Sequence, residues 1–576
     1  MDRKKADITI TIAESICILF WLAFFRNTDA YYLPYLIAGV AGIVCRCRIV
    51  KYGQAGRAGA AEILLSAAFA IACSAANYRL FSGKHPAVAV CFAGAFCSMV
   101  SILMYLRTEG SCLLEKKLFR EESPAGSPVK VFLLSAAAIA AVDCAVLFLA
   151  KYPGALTEDS ISQIDQLMTG VYSNHHPVFH TLIIKALVKA GLAVSGGDFN
   201  FAVALYSVFQ ILLMACTFGY LCSTLSRMNV KKVFVVLAVL YFAALPCHFM
   251  YSFTMWKDIP FASAAAVFLI TFFRMINGIG RRSPGTWILL ALSSLGVCLL
   301  RSNGWAIFLF SAFIFAALFL KREKKMCAVF AAVIIVSFIL KNPVLDAAGV
   351  SRTDTVESLS IPVQQIARVI KECKNQLTPD QRELLDRIID VDHAPLYYSE
   401  FISNPIKNLI RDTGDQEYMK EHMGEYIRLY LQLGWEHPKQ YFEAYVEQTK
   451  GLWNSGYDYW ITVDMVADNS YGIAREVRSG LLNSEVDRFI SRFSRYEFLS
   501  IFQSIGFHVW LTVVLLYTAC TRKNRAAAFL AVPLLLNVGS LLVATPVFAE
   551  FRYTYSIFCV IPFLLFSVFY KNKKEV

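Results

Sequence analysis

The chain has 576 residues, 57% of them hydrophobic and only 17% charged, with a formal net charge of +12. Soluble domains carry roughly 45–50% apolar and about 25% charged residues, so this composition excludes an ordinary water-soluble protein and points to lipid. The positive excess does not read as a nucleic-acid surface, because the cations sit in short clusters between apolar runs.

The N-terminus, MDRKKADITITIAESICILFWLAFF, has a basic start and an apolar stretch but no small-residue cleavage site, which predicts a retained first helix. A helix needs about 20 apolar residues to cross the hydrocarbon core. Runs that meet or approach this lie at 8–25, 31–49, 58–78, 86–106, 130–150, 199–223, 232–252, 259–277, 286–300, 304–320, 326–342, 499–520, 525–545 and 553–570. A further candidate, PVFHTLIIKALVKAGLAVSG at 177–196, decides the topology. Without it, the clusters around Arg3, Arg46, Lys116, Arg227, Arg281, Lys324, Arg522 and Lys573 all fall on one side. The other side holds only Arg26, Arg79, Lys84, Lys151, Lys257, Arg301 and Arg552. Counting 177–196 as a span would move five of those eight clusters to the opposite face, against the positive-inside rule. Lys185 and Lys189, one turn apart, suit a helix lying in the interface instead.

The expected fold is therefore an all-α polytopic membrane protein of about 14 spans with both termini cytoplasmic. It divides into an N-terminal four-helix extension (1–129), a membrane core (130–342) with an acidic outer loop (151–198), an extracytoplasmic and mostly helical domain (343–498), and a C-terminal three-helix segment (499–576). The run 424–453 reads as helices broken near Pro438. The 16 cysteines show no CxxC or Cys/His ligand spacing and read as small apolar fillers.

The outer loop carries the densest chemistry. In TEDSISQIDQLMTGVYSNHHP (157–177), Ile161, Ile164, Leu167 and Met168 share one side of a helix, and Asp159, Gln163 and Gln166 another. Thr157 can cap its start, where Glu158 and Asp159 suit the helix dipole. A carboxylate held at the lipid–water boundary has a tunable pKa and can serve as a general base. Asp165 lies on the same helix. His175 and His176 stand before Pro177 at the start of the next helix. Asp159, His176 and Asp258 are left open as ligands of a divalent cation, and no other cofactor is expected.

Three further polar groups recur at outer ends of spans: Lys257 and Asp258 in WKDIP, Arg301 and Asn303 in RSNGW, and Glu550, Arg552 and Tyr553 in AEFRYTY. Snorkelling at the interface accounts for isolated cations. Three on a cation-poor face, opposite an acidic loop, read better as a pocket for a lipid-borne phosphate. Glu14 and Asp143 sit within spans, where charge is costly, and are expected to face neighbouring helices.

This layout resembles the GT-C superfamily of polytopic glycosyltransferases. The matching elements are the acids of TEDSISQ, then Gly170, then the His-Pro of NHHPVFHTL, with WKDIP as the acid at the outer end of a later helix. The resemblance covers roughly 130–345 and the last three spans. Four helices precede the one leading into the acidic loop, and 343–498 matches no domain of that family. What the resemblance implies is a GT-C-like bundle in a bacterial plasma membrane. It would transfer a sugar from a polyprenyl-phosphate donor to an extracytoplasmic glycan, lipid or protein, with inversion. Asp159 would be the catalytic carboxylate, beside Glu158. Lys257, Arg301, Arg552 and Tyr553 would hold the donor phosphate, supported by Gln163, Asp165, His175, His176, Asp258, Asn303 and Glu550. The rival expectations are an extracytoplasmic polysaccharide polymerase or ligase, whose essential groups would fall in 343–498, and a non-enzymatic transporter of lipid-linked sugar.

Overall fold

The computed structural model describes residues 2–26, 32–51, 57–81, 85–120, 127–454 and 461–571. Lys84, Lys573 and Lys574 of the charge asymmetry lie outside them. The described chain is helical, and extended backbone meets only in isolated bridges. The first four helices, α1 (Asp2–Arg26), α2 (Leu33–Lys51), α3 (Ala60–Ala76) and α4 (His85–Tyr105), pack around Trp21, Phe25, Tyr35 and Phe69. Gly94 makes this close: a Cβ there would sit 2.2 Å from Trp21, the small-residue contact that lets membrane helices approach. Within this group Glu14 is neutralised by Arg46 at 2.8 Å, as its place in an apolar helix requires.

After α5 (Ser111–Leu118) the chain continues through α6 (Pro128–Leu149), α7 (Glu158–Thr169), α8 (Val178–Ser195), α9 (Phe199–Arg227), α10 (Lys232–Ala244) and α11 (Pro246–Tyr251). It then forms α12 (Asp258–Ile276), α13 (Pro284–Leu299), α14 (Gly304–Phe319) and α15 (Lys324–Ile339). The largest core joins α9, α10, α12, α13 and α14 to the late helices Ile505–Thr521, Arg525–Ala544 and Phe551–Phe569. Phe551–Phe569 is buried on most of its surface, so it is a central post of the bundle.

Among the described residues ten helices are long and apolar enough to cross a membrane, so the chain is a multi-pass helical membrane protein by length and composition. Nine of them fall on expected spans, and the tenth is α8 itself, which the charge asymmetry had set on the surface. The five other expected spans are shorter apolar helices. One reason is local: the run 232–252 is divided because Pro246 cannot continue α10 and instead opens α11. All 16 cysteines are free thiols; Cys73, Cys91, Cys222, Cys247, Cys298, Cys373 and Cys559 are buried, whereas Cys47, Cys112, Cys216 and Cys520 are exposed.

The segment 343–498 has its own apolar core, built on Ser360–Cys373, Asn404–Thr413, Met423–Glu436 and Pro438–Trp453, with the break at His437–Pro438. Its later part returns as a strap over the outer loop. Leu156 donates to the Met465 carbonyl at 2.9 Å, Ala467 donates back to Leu156 at 2.9 Å, and Glu476 donates to Tyr152 at 2.9 Å. Lys151, 1% exposed, is enclosed under the strap by Asp464 and by Asp487 at 2.6 Å. Arg475 adds a second cation, donating to the Lys151 carbonyl and to Asp464. The loop beneath needs Gly154, whose φ is +133° and whose Cβ would meet Ser207 Oγ at 2.4 Å.

Breaking a buried ion pair from one side is costly, but Asp464 and Asp487 can reach water, so Lys151→Met is expected to cost on the order of 1–3 kcal/mol. Hydrogen exchange checks it: the amides of Ala467 and Glu476 are expected to lose protection while the 360–453 core keeps its own. Unchanged protection would show that Lys151 does not hold the strap.

Candidate functional site

The 151–198 loop, the turn before α12 and the start of the last helix meet at one point. The loop contributes α7, which begins where Thr157 N–H donates to Ser160 Oγ at 3.2 Å in a capping box. It ends at Gly170, in the left-handed conformation at φ 74°. Ser160 Oγ donates to the Met255 carbonyl at 2.8 Å, and Trp256 Nε1 donates to Thr157 Oγ1 at 2.9 Å. The first turn of α7 is thereby clamped to the turn that carries Lys257 and Asp258.

That clamp presents Asp159 to Arg552. Arg552 Nη1 donates to Asp159 Oδ2 at 2.8 Å, and Arg552 Nε lies 3.1 Å from Glu550. The guanidinium also lies 4.5 Å from the Trp256 ring centre and 5.3 Å from that of Tyr553, so aromatic faces add to its fixation. Burial pushes the Asp159 carboxyl up, but Arg552, then Lys257, oppose it and hold it well below the usual carboxylate range. Glu550 behaves oppositely: burial raises it, Arg552 pulls it back, and the charges of Asp258 and Asp159 raise it further.

Lys257 does not pair with the adjacent Asp258. Its ammonium lies 3.0 Å from His176 Nδ1. Burial, with Lys257 adding repulsion, lowers His176 to about 3, so at neutral pH the ring is uncharged and Nδ1 accepts from the ammonium. Burial likewise lowers Lys257, opposed by Asp258 and Asp159. Asp258, at the N-terminus of α12, faces Arg301, whose Nε is 3.3 Å away. Arg301 donates through Nη1 to the Tyr553 carbonyl at 2.8 Å, and its guanidinium lies 5.2 Å from the Tyr553 ring centre. Tyr553 is thus flanked by both arginines.

The remaining candidates divide clearly. Asn303 donates to Ser540 at 2.7 Å and braces a layer behind the site, where Asn537 donates to the Tyr553 carbonyl at 2.8 Å. Gln163 is buried, donating to Thr181 at 2.9 Å with its carbonyl on His180 at 3.1 Å. Asp165 faces away from Arg552 and accepts from Tyr471 of the strap at 2.5 Å. Glu158 is exposed. His175 is exposed and meets His176 edge-on, with ring centres 4.8 Å apart. Among the described residues no group of three or more His, Cys, Asp and Glu comes together to hold a metal ion. Asp159, His176 and Asp258 each face a cation instead, which is the physical reason they form no ligand set.

Two features were missed in the sequence. Trp256 lies inside the WKDIP element, which the sequence marked only for Lys257 and Asp258; the fold puts its ring against Arg552 and its N–H on Thr157. A buried relay also runs from His180 Nε2 to the Tyr206 hydroxyl (2.7 Å) and on to Gln210 (2.9 Å). Gln210 in turn donates to the carbonyls of Tyr251 (2.8 Å) and Thr254 (2.7 Å). It fixes the turn from behind, and no spacing rule links residues this far apart.

Asp159, Asp258 and Glu550 therefore stand among Lys257, Arg301 and Arg552 at one locus, a balance of three acids and three cations. Neither the curated proteins nor the solved structures give a match to this chain. A family described only as a family of unknown function, DUF6020, matches residues 167–576, from within α7 through the strap to Arg552 and beyond. Because that match spans more than half of the sequence, the chain belongs to the DUF6020 family.

Proposed function

We propose that this protein is a GT-C-like membrane glycosyltransferase. It takes a sugar from a polyprenyl-phosphate donor and passes it to an extracytoplasmic glycan, lipid or protein. In this reading 14 helices span a bacterial plasma membrane, both termini are cytoplasmic, and α7 and α8 lie at the outer interface. The observation that carries it is the 2.8 Å contact between Asp159 and Arg552 beside Lys257. It joins a carboxylate suited to proton abstraction with cations suited to an anionic leaving group.

A carboxylate tied to a guanidinium is a weak base, so the donor must release it. The phosphate of an arriving donor competes for Arg552, for which phosphate and carboxylate are equivalent bidentate partners. Once Arg552 turns to the phosphate, burial is the dominant influence left on Asp159, and burial favours taking a proton. The acceptor hydroxyl then attacks the anomeric carbon while its proton passes to Asp159. The bond from that carbon to the phosphate oxygen breaks, and polyprenyl phosphate leaves with the electron pair. Lys257 stabilises the developing charge. Attack opposite the phosphate inverts the centre. Arg301, held by Asp258 and Tyr553, positions the aromatic face beside Arg552.

Charge balance gives Glu550 a role. With all three acids ionised, the locus offers no net attraction to a phosphodiester. A proton on Glu550, favoured by its burial, leaves one positive charge in excess.

Two outcomes test the reading. Asp159→Asn is expected to lower sugar transfer by about 10²–10⁴-fold, the usual contribution of a general base. The same variant should enrich a polyprenyl-monophosphate sugar among co-purifying lipids. A wild-type rate would remove Asp159 from the mechanism, and a diphosphate-linked oligosaccharide among those lipids would favour a polymerase or ligase. Glu550→Gln is expected to strengthen donor binding several-fold at neutral pH and to flatten its pH dependence, because it mimics the protonated acid; weaker binding would overturn the charge argument.

A further inference from the structure

At the ends of α6 and α9 remote from the 151–198 loop, these helices meet the start of α10 at a corner rich in cations. Phe119 bridges to Val230, Arg120 N–H donates to the Asn229 carbonyl at 2.9 Å, and Ser223 Oγ donates to the Pro128 carbonyl at 2.8 Å. These contacts hold the starts of α6 and α10 beside the end of α9. Between them runs a cleft of about 330 Å³. Along its length it is apolar, walled by residues such as Leu134, Val236 and Leu240, which are 72%, 56% and 54% exposed. Its lining is polar at Arg120, Lys232 and Ser226, at the start of α10 and the end of α9, and at the buried Ser135 within α6.

The chemistry of the two ends differs sharply. Exposed branched side chains on the apolar helices α6 and α10 suit an acyl chain. The polar end combines two cations with the Ser226 hydroxyl, and the N-termini of α6 and α10 bring their positive dipole ends to the same corner. No acid is among the residues lining the cleft; nearby Glu115 is occupied by Arg522 at 2.7 Å and Lys571 at 3.0 Å. Glu121 and Glu122 lie outside the described residues. A headgroup with a net negative charge satisfies the polar end, whereas a zwitterionic one brings its own cation into it. Basic pockets between membrane helices recognise anionic lipids in this way.

We propose that this cleft is a binding site for one anionic phospholipid, its chain lying between α6 and α10 and its phosphate on Arg120 and Lys232. The site is independent of the glycosyl-transfer reading and stands at the basic end of the bundle, where anionic lipid would anchor the α6–α9–α10 corner.

Native mass spectrometry of the full chain, released from nanodiscs of mixed phosphatidylglycerol and phosphatidylcholine, tests it. Wild-type protein is expected to retain phosphatidylglycerol over phosphatidylcholine by on the order of tenfold or more, as two surface cations can supply. R120A/K232A should lose most of that preference. Val236→Trp, which fills the wall and leaves both cations in place, should lower retention of either lipid. Lys232→Gln alone gives a milder reading should the double variant fail to fold. Equal retention of the two lipids by wild type would overturn the proposal. A preference that survives R120A/K232A would overturn the headgroup assignment. Retention that survives Val236→Trp would mean a surface charge effect and no cleft.

Discussion

The ion pair between Asp159 and Arg552 closes the molecule. Its partners lie 393 residues apart in sequence, one on a short surface helix and the other on the buried last helix. Everything around it serves to keep two charges at a boundary where neither is fully solvated. The capping box sets the first turn of α7, Trp256 braces it and lies against the guanidinium, and Tyr553 holds Arg301 in reach of Asp258. A partly buried charge is tolerated only with partners at good geometry, and Arg552 meets both Asp159 and Glu550.

Behind the pair, the hydrogen-bonded run from Gln163 through His180, Tyr206 and Gln210 to the 251–254 carbonyls acts as a rigid back wall. Each of these side chains is buried, and each has a partner, so the network fixes one arrangement rather than several. It explains why a helix of only 12 residues, α7, can be a dependable platform. Its apolar side, Ile161, Ile164 and Leu167, packs on α8 and α9, while its polar side is wired to the turn.

Much of this was legible in the sequence, for physical reasons that can be named. Apolar runs fixed where helices form, and Thr157 with the two acids after it marked the start of α7. The cations at the outer ends of spans stood out because outer loops are poor in them, and Lys257, Arg301 and Arg552 do converge. Partnership was less legible. Neighbours in sequence suggested Lys257 with Asp258, but the start of α12 turns their side chains apart, toward His176 and Arg301. Arg301 and Asn303 have protein partners that their positions in sequence did not reveal, Asp258 and Tyr553 for the one and Ser540 for the other. The strap was invisible: Lys151, Asp464, Arg475 and Asp487 lie in different segments, with no periodicity to connect them. Whether α8 crosses or lies flat was likewise beyond its own residues, since its length and apolarity suit a span while the charges of the whole chain argue against one.

The separation of Asp159 from Arg552 also sets an order of events in biosynthesis. At about 5–20 residues per second, the ribosome needs roughly 20–80 s after making Asp159 before it makes Arg552. Throughout that interval the acid stands without its guanidinium, and the strap residues that cover the loop beside it arrive only late in the same interval. The site therefore cannot exist on a nascent chain. Its completion waits on the last helix, so a chain that ends before Arg552 leaves Asp159 without its guanidinium partner.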